Sequence, residues 1–210
     1  MNRSKPINFF WKPLVFFICL TPFLIIAGNS FGFLGDLGVN QVETLLDHFG
    51  NWALRFIMIA LAVSPLRKIT NWNWLSRYRR MIGLFAFFYA LMHFLIWTVL
   101  EKELNPHDIF EDITERPFIL LGFIAVFLLA CLAITSFTRI RIYMKKYWQL
   151  LHNMIYVIGI LSVWHYWWQV KKDITEPLIY ALVVFILLFI RIYYYQKSRN
   201  KNQMSNQKNS

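Results

Sequence analysis

Six long apolar stretches, each bounded by charged or polar residues, follow one another along the chain. They lie at 13–30, 50–66, 81–100, 117–138, 147–170 and 177–195. Each is close to the ~20 residues that a helix needs to cross a bilayer, although the second is short and has Arg55 near its entry. The pattern predicts an all-α polytopic membrane protein with a six-helix bundle at 13–195. It also predicts a cytoplasmic segment at 1–12 and a disordered cytoplasmic tail at 196–210.

Composition supports a membrane protein over a soluble one. Of the 210 residues, 58% are hydrophobic and 19% are aromatic, which is outside the range of soluble globular domains. The first stretch has the basic start of a secretory signal, but it is long and five more stretches follow, so we expect a retained helix. Cys19 and Cys131 lie in apolar stretches without metal-ligand spacing, which argues against a thiolate site.

Basic and acidic residues alternate between the loops. Seventeen of the 22 basic residues precede the first stretch or fall in 67–80, 139–146 and 191–208. All eleven acids fall in the other loops, at Asp36, Glu43, Asp47, Glu101, Glu103, Asp108, Glu111, Asp112, Glu115, Asp173 and Glu176. The positive-inside rule therefore predicts that both termini are cytoplasmic. The net charge of +11 reflects this topology and an affinity for anionic lipid, and we expect no nucleic-acid partner.

Three histidines lie deep within the apolar stretches. His152 and His165 are about 20 Å apart along the fifth stretch, and His93 lies about 20 Å along the third. A buried imidazole loses its hydrogen bonds to water, so it normally has a metal, a polar group or a water path as its partner. His48 lies at an interface and His107 in a loop, where water suffices.

Haem iron is a partner that two facing helices can hold through one axial histidine each. Zinc needs more ligands at one depth than these histidines provide. A transporter or proton channel with a histidine relay is the main alternative, although no acid lies within any apolar stretch. A structural assembly subunit, in which the histidines are replaceable, is a third interpretation.

Several motifs resemble one family in order and spacing. They are HFGNWALRF, SPLR, RYRRMIGLFAFFYALMHFLIW, ERPFILLG and WQLLHNMIYVIGILSVWHYWW, which together cover about residues 45–190. The chain resembles the haem-binding membrane subunits of the bacterial periplasmic methionine sulfoxide reductase system, in the ferric-reductase-like transmembrane group. The resemblance implies haem b, with His93, His152 and His165 as ligands, and an associated FMN. It further implies a non-catalytic inner-membrane subunit that passes electrons from the quinone pool to a periplasmic molybdopterin enzyme, which reduces methionine sulfoxide in proteins.

One departure from the wider group concerns the haem count. Ferric reductases typically use two bis-histidine pairs, but here Arg79 and Arg80 stand where the inner histidine of the third stretch is expected. We expect His93 and His165 to hold an outer haem, and His152 to ligate an inner haem only with a non-histidine or absent second ligand. Pairing of His93 with His152, and binding of one haem or two, stay open.

Two further expectations concern partners. No Gly-rich nucleotide-binding stretch follows the last apolar segment, so we expect that the chain cannot oxidise NAD(P)H alone. We expect the acidic loop at 101–116 to be a docking surface for the partner enzyme, because its charge would steer association. Arg79 and Arg80 are explained equally by membrane anchoring and by pairing with anionic groups of a cofactor.

Overall fold

The computed structural model describes residues 8–170 and 173–208, and these residues are almost entirely helical. The α-helices are α1 (Asn8–Ser30), α2 (Gln41–Thr70), α3 (Arg79–Ile96), α4 (Pro106–Glu115), α5 (Pro117–Ile134), α6 (Thr138–Met144), α7 (Lys146–His152), α8 (Ile155–Gln169) and α9 (Thr175–Lys208). A 3₁₀ turn at Asn73–Arg77 precedes α3, and a π-helical turn at Trp97–Glu101 extends it. The predicted all-α polytopic architecture is confirmed.

Local sequence explains where the helices begin and end. Asn40 caps α2 by accepting a hydrogen bond from the Glu43 N–H, and Asn71 ends that helix in the left-handed conformation that asparagine tolerates. Proline opens both α4 and α5, at the first helical position, where its missing N–H costs nothing.

The core is built from α2, α3, α5 and α8. The most extensive packing is between α2 and α3, followed by α5 against α8 and α3 against α5. Side chains at the centre, including Ala86, Tyr89 and Ile158, are fully buried. Helix α9 packs on α2 and α8, while α1 touches α2 and α3 only lightly.

Five helical segments in the described part of the chain are long and apolar enough to cross a membrane. They are Trp11–Ser30, Gln41–Thr70, Arg79–Glu101, Pro117–Ile134 and Thr175–Lys197. The predicted fifth span, 147–170, is divided into α7 and α8, and α8 alone has 15 residues. The six-helix count therefore stays a prediction, although the two parts follow one another without a loop.

The division within 147–170 is a tightened turn. The N–H groups of Met154 and Tyr156 donate to carbonyls three residues back instead of four. The Asn153 side chain at this point accepts a hydrogen bond from the Gln149 side chain at 2.9 Å. Asparagine is also a weak helix former, so the sequence favours a break here.

Helix α9 extends into the segment that is predicted to be a tail. The segment 196–210 is predicted to be disordered from its polar composition, yet α9 continues as far as Lys208, and residues 209–210 lie outside the described part. Helix α9 contains no glycine, and its only proline is Pro177 in the first turn, so nothing interrupts propagation from the apolar span into the polar run.

Helices α2 and α3 run in opposite directions, as do α5 and α8, because the start of one helix in each pair contacts the end of the other. Charge separates the bundle into two ends. We call the end that carries 67–80, 139–146 and 191–208 the basic end, and the end that carries the α1–α2 loop, 101–116 and 173–176 the acidic end. Exposed large apolar residues, such as Phe17, Phe127 and Phe185, cover the flanks between the two ends. This distribution suits a bundle surrounded by lipid.

Helix α1 depends on a hydroxyl from α3. In a regular helix the Phe23 N–H would donate to the Cys19 carbonyl, but the Tyr89 hydroxyl stands between them. It accepts from Phe23 at 3.1 Å and donates to Cys19 at 2.9 Å. His48 donates from Nε2 to the carbonyl of Pro22 at 3.1 Å, which gives this histidine a structural partner.

We expect Tyr89→Phe to lower the free energy of unfolding by about 1–3 kcal/mol, because two backbone groups of α1 lose a buried partner. The measurement is thermal unfolding of the purified protein in detergent. Tyr143→Phe is the control, since that ring is 88% exposed. Equal unfolding midpoints for the two variants would show that Tyr89 does not hold α1.

Candidate functional site

The structure brings two of the three predicted ligands together. His93 on α3 and His165 on α8 have ring centroids 6.2 Å apart, with ring planes at 82°. Two imidazoles that bind one metal ion from opposite sides, each at about 2 Å, have centroids roughly 6 Å apart. The separation of His93 and His165 is therefore suitable for a shared metal-centred group.

Each of these imidazoles is fixed by a backbone carbonyl on a neighbouring helix. His93 Nδ1 donates to the Leu46 carbonyl on α2 at 2.9 Å, and His165 Nδ1 donates to the Phe118 carbonyl on α5 at 2.6 Å. A carbonyl only accepts, so in each ring the proton is on Nδ1. The Nε2 atoms are left unprotonated, which is the state in which imidazole binds a metal.

Glycine makes room for both rings. A Cβ on Gly50 would lie 3.1 Å from His93 Nδ1, and a Cβ on Gly122 would lie 2.9 Å from His165 Cε1. Each glycine is four residues after the carbonyl acceptor, so it lies directly above that carbonyl on the same helix face. Any larger residue would push the ring away from its acceptor.

The two arrangements share one spacing. An offset of 72 residues relates the two sets: Leu46 corresponds to Phe118, Gly50 to Gly122 and His93 to His165. The α2–α3 pair and the α5–α8 pair thus supply the same constellation twice. The acceptor carbonyls and the glycines are absent from the sequence predictions, because they carry no distinctive side chain. This repeated offset is the signal that would have found them.

A cavity of about 370 Å³ adjoins both histidines, within the range of ligand pockets. Its wall is mainly apolar, with contributions from α2, α3, α5 and α8, and includes Leu54, Ile57, Ala90 and Ala125. Polar residues lie toward the acidic end of the wall, at Asp47, Asn51, Glu101, Arg116 and Gln169. The cavity is therefore an apolar slot with a polar mouth.

The mouth is stabilised by an ion-pair cluster. Asp112 on α4 is 7% exposed and is held between Lys102 and Arg116, with the Arg116 Nε at 3.2 Å. The π-helical turn brings Trp97 and Glu101 onto the cavity wall, with Lys102 N–H donating to the Trp97 carbonyl at 3.0 Å. Such turns cost regular hydrogen bonding and often occur at functional sites.

The other histidines lie elsewhere. His152 is at the end of α7, outside this cavity, where its ring stacks on Trp148 with centroids 4.0 Å apart. His152 Nδ1 donates to the Trp148 carbonyl at 3.1 Å, so its Nε2 is also uncommitted. His107 is exposed on α4 beside Asp108 and Glu111, as a loop residue in water would be.

The residues of the cavity fit a haem. Two neighbouring imidazoles whose Nδ1 atoms are bonded to carbonyls, an apolar slot and a polar mouth suit an iron, a porphyrin face and its acidic edge. His93 and His165 would hold the iron, and Gly50 and Gly122 would leave the rings in place. The groups that hold these rings are backbone carbonyls, so neither ring needs a carboxylate in the apolar interior.

Comparison with known proteins identifies the family of this chain. Residues 49–163 match the family model described as ferric reductase like transmembrane component. Two relatives are named protein-methionine-sulfoxide reductase heme-binding subunit MsrQ. The protein from Herminiimonas arsenicoxydans is 40% identical, with 91% of this chain and 88% of the relative aligned. The protein from Polaromonas naphthalenivorans is 42% identical, with 90% and 88% aligned.

A third relative shows the same region within a longer protein. Magnetosome protein MamZ of Paramagnetospirillum magneticum is 43% identical over 87% of this chain, but only 29% of its own length is aligned. The family match covers more than half of the chain, and the two MsrQ proteins align over nearly their whole length. The chain belongs to the ferric-reductase-like transmembrane family and, within it, to the MsrQ family of heme-binding subunits.

Proposed function

We propose that this protein is a haem b electron-transfer subunit of a protein-methionine-sulfoxide reductase system. The observation that carries the proposal is the pair of neighbouring imidazoles, His93 and His165, which line an apolar cavity and have Nδ1 bonded to a backbone carbonyl. The relatives' names, which state heme binding, agree with this chemistry. Haem bound there would supply one-electron chemistry at an iron atom.

The protein's own residues would set the conditions for that chemistry. The two carbonyl acceptors orient the rings and raise their basicity as ligands. The apolar wall excludes water, so the potential depends on nearby charges, and Asp47, Glu101 and Arg116 are the charged residues that line the cavity. His152 has a free Nε2 and is our candidate ligand for a second haem near the basic end.

The charge distribution supports a direction for the path. We place the basic end in the cytoplasm and the acidic end in the periplasm, with the bundle in the inner membrane. Electrons would enter from quinol, with FMN as a bound relay, and leave at the acidic end. The recipient would be a molybdopterin-containing catalytic subunit that reduces methionine sulfoxide in oxidised proteins.

The exposed face of α4 is our candidate docking surface for that subunit. Asp108, Glu111 and Glu115 are on that helix, together with Phe110 at 70% exposure. Acidic groups around an aromatic side chain suit a basic partner surface, because opposite charges steer association and an exposed ring contributes apolar contact.

The first prediction concerns the reduced-minus-oxidised absorption spectrum of protein purified after expression with adequate haem supply. We expect a b-type spectrum in the wild type that loses most of its intensity in His93→Ala and in His165→Ala, because each removes an axial ligand. His152→Ala should weaken the spectrum without abolishing it.

His107→Ala is the matched control, since His107 is exposed and is not part of the cavity wall. Haem-free wild type that is well folded would contradict the proposal. So would a spectrum that keeps its full intensity after removal of both His93 and His165.

The second prediction tests the space beside His165. In Gly122→Ala the new methyl group would displace the ring from the Phe118 carbonyl, since a Cβ there lies 3.0 Å from Nδ1. We expect about 10- to 100-fold weaker haem binding, as for other changes that misorient a ligand. Haem titration of the apoprotein, followed by absorbance, measures this change.

Gly83→Ala is the control, because it is also on a membrane-spanning helix but a Cβ at this position would have no neighbouring atom within 4 Å. This variant should bind haem like the wild type. Equal haem affinity in the two alanine variants would show that the glycine at 122 does not make room for the ligand.

The third prediction tests the docking surface. Association with the catalytic subunit should weaken as salt rises, and Asp108→Asn with Glu111→Gln should slow association by about tenfold at low salt. Asp36→Asn with Asp173→Asn removes the same charge from exposed acidic-end positions outside α4. Surface plasmon resonance with immobilised catalytic subunit measures both rates. Salt-independent binding, or equal slowing by the two double variants, would exclude α4 as the docking surface.

A further inference from the structure

A second groove, separate from the haem cavity, lies between α1 and α3 at the basic end. Its volume is about 520 Å³, and none of the described residues that line it also lines the haem cavity. Helix α1 packs only lightly on α2 and α3, so the groove opens on the flank that lipid surrounds. Phe16 on one side and Leu84 on the other are 43% and 36% exposed. The groove is therefore reachable from the bilayer.

The lining follows one pattern on both helices. On each, a cation is followed by apolar residues four and eight positions later, which lie on the same helix face. These residues are Lys12, Phe16 and Leu20 on α1, and Arg80, Leu84 and Phe88 on α3. Over eight residues a helix rises about 12 Å, so the apolar part of each side extends about 12 Å from the cation.

Helices α1 and α3 run in the same direction beside this groove. The Phe16 ring lies 5.3 Å from the Phe85 ring, measured between centroids. Further along both helices, the Phe23 N–H donates to the Tyr89 hydroxyl. Because the contacts move forward on both helices together, the cations of the two helices lie at the same end of the groove. The groove thus has a charged end and an apolar channel beyond it.

Aromatic side chains place the charged end at the membrane surface. Tyr78 lines this groove, and Trp74 packs edge to face on the Tyr78 ring with centroids 6.0 Å apart. Trp72 stacks on Trp74 at 5.9 Å, and both indoles are about half exposed. Exposed tryptophans are typical of the headgroup layer, where the amphipathic ring meets both lipid and water. The cations next to Tyr78 are therefore at the depth of lipid phosphates.

The charged end of the groove is positive. Lys12, Arg77 and Arg80 line it, and none of the described lining residues is acidic. Neither Lys12 nor Arg80 takes part in an ion pair formed by the described residues. The Arg80 guanidinium lies over the Phe137 ring, 5.9 Å from the centroid, which limits its orientation without neutralising its charge. This end of the groove therefore favours an anionic group.

We propose that this groove binds one anionic phospholipid, with its phosphate group at Lys12 and Arg80 and an acyl chain between Phe16 and Leu84. Ammonium and guanidinium groups bind phosphate oxygens, and the apolar channel removes the chain from water. Phosphatidylcholine carries the same phosphate, but the same cations repel its trimethylammonium group. The bound lipid would fill the space beside α1, where the protein's own packing is light. The proposal does not depend on haem binding.

The test of the charged end uses the full chain in nanodiscs with equal amounts of phosphatidylglycerol and phosphatidylcholine. Native mass spectrometry of the released protein identifies the lipid that it retains. We expect phosphatidylglycerol to be preferred, and Lys12→Gln and Arg80→Gln each to lower that preference about fivefold, because each removes one basic group near the lipid phosphate. Arg139→Gln and Lys146→Gln, at exposed positions of the same end, are the controls and should lower it by less than about twofold.

The test of the apolar channel fills it with a larger side chain. Leu84→Trp should lower retention of phosphatidylglycerol by about tenfold or more, since each methylene group kept out of apolar contact weakens binding about fourfold. Leu95→Trp is the control, because Leu95 is on the same helix, is 41% exposed and does not line the groove. It should retain the lipid like the wild type.

The thermal unfolding transition of each variant shows whether it is folded, and Leu84→Phe replaces Leu84→Trp if the larger ring prevents folding. Equal retention of the two lipids by the wild type would overturn the proposal, because the groove would then select no anion. The proposal is also overturned if the charge controls lower the preference as much as the groove variants do. Equal lipid retention by the variants at positions 84 and 95 would show that the channel holds no acyl chain.

Discussion

The structure depends on how two imidazoles are accommodated in an apolar bundle. A buried ring nitrogen without a partner costs free energy, and an apolar interior offers few donors or acceptors. Here each Nδ1–H is satisfied by a backbone carbonyl, of Leu46 or of Phe118. This leaves each Nε2 available beside the space between the helices. A metal-centred ligand between the helices would give these two Nε2 atoms a partner, which the backbone does not supply.

The same solution occurs twice, 72 residues apart, in the α2–α3 and α5–α8 pairs. The two halves differ at the basic end, where the position equivalent to His152 in the first half is Arg80. One end of the bundle therefore has two neighbouring histidines, and the other has one histidine with Arg79 nearby. The two ends of the bundle therefore offer different metal ligands, although the two helix pairs share the same spacing.

The sequence predicted the helical nature of the apolar stretches well, because such stretches must be helical in lipid, where every backbone group has to be bonded internally. Helix ends were less predictable. Helix α2 extends on both sides of 50–66 into polar turns, and α9 continues into the expected tail. The proximity of His93 and His165 follows from estimated depth, but the carbonyl acceptors, Gly50 and Gly122 depend on helix rotation, which one sequence does not fix.

The most direct test of the paired imidazoles is electron paramagnetic resonance of the oxidised, haem-loaded protein. Ring planes of His93 and His165 at 82° predict a low-spin ferric signal of the strongly anisotropic type given by perpendicular axial imidazoles. That signal should disappear in His93→Ala and in His165→Ala and persist in His152→Ala. A wild type that gives only a high-spin, five-coordinate signal, or a low-spin signal that depends on His152 instead of His165, would contradict the assignment.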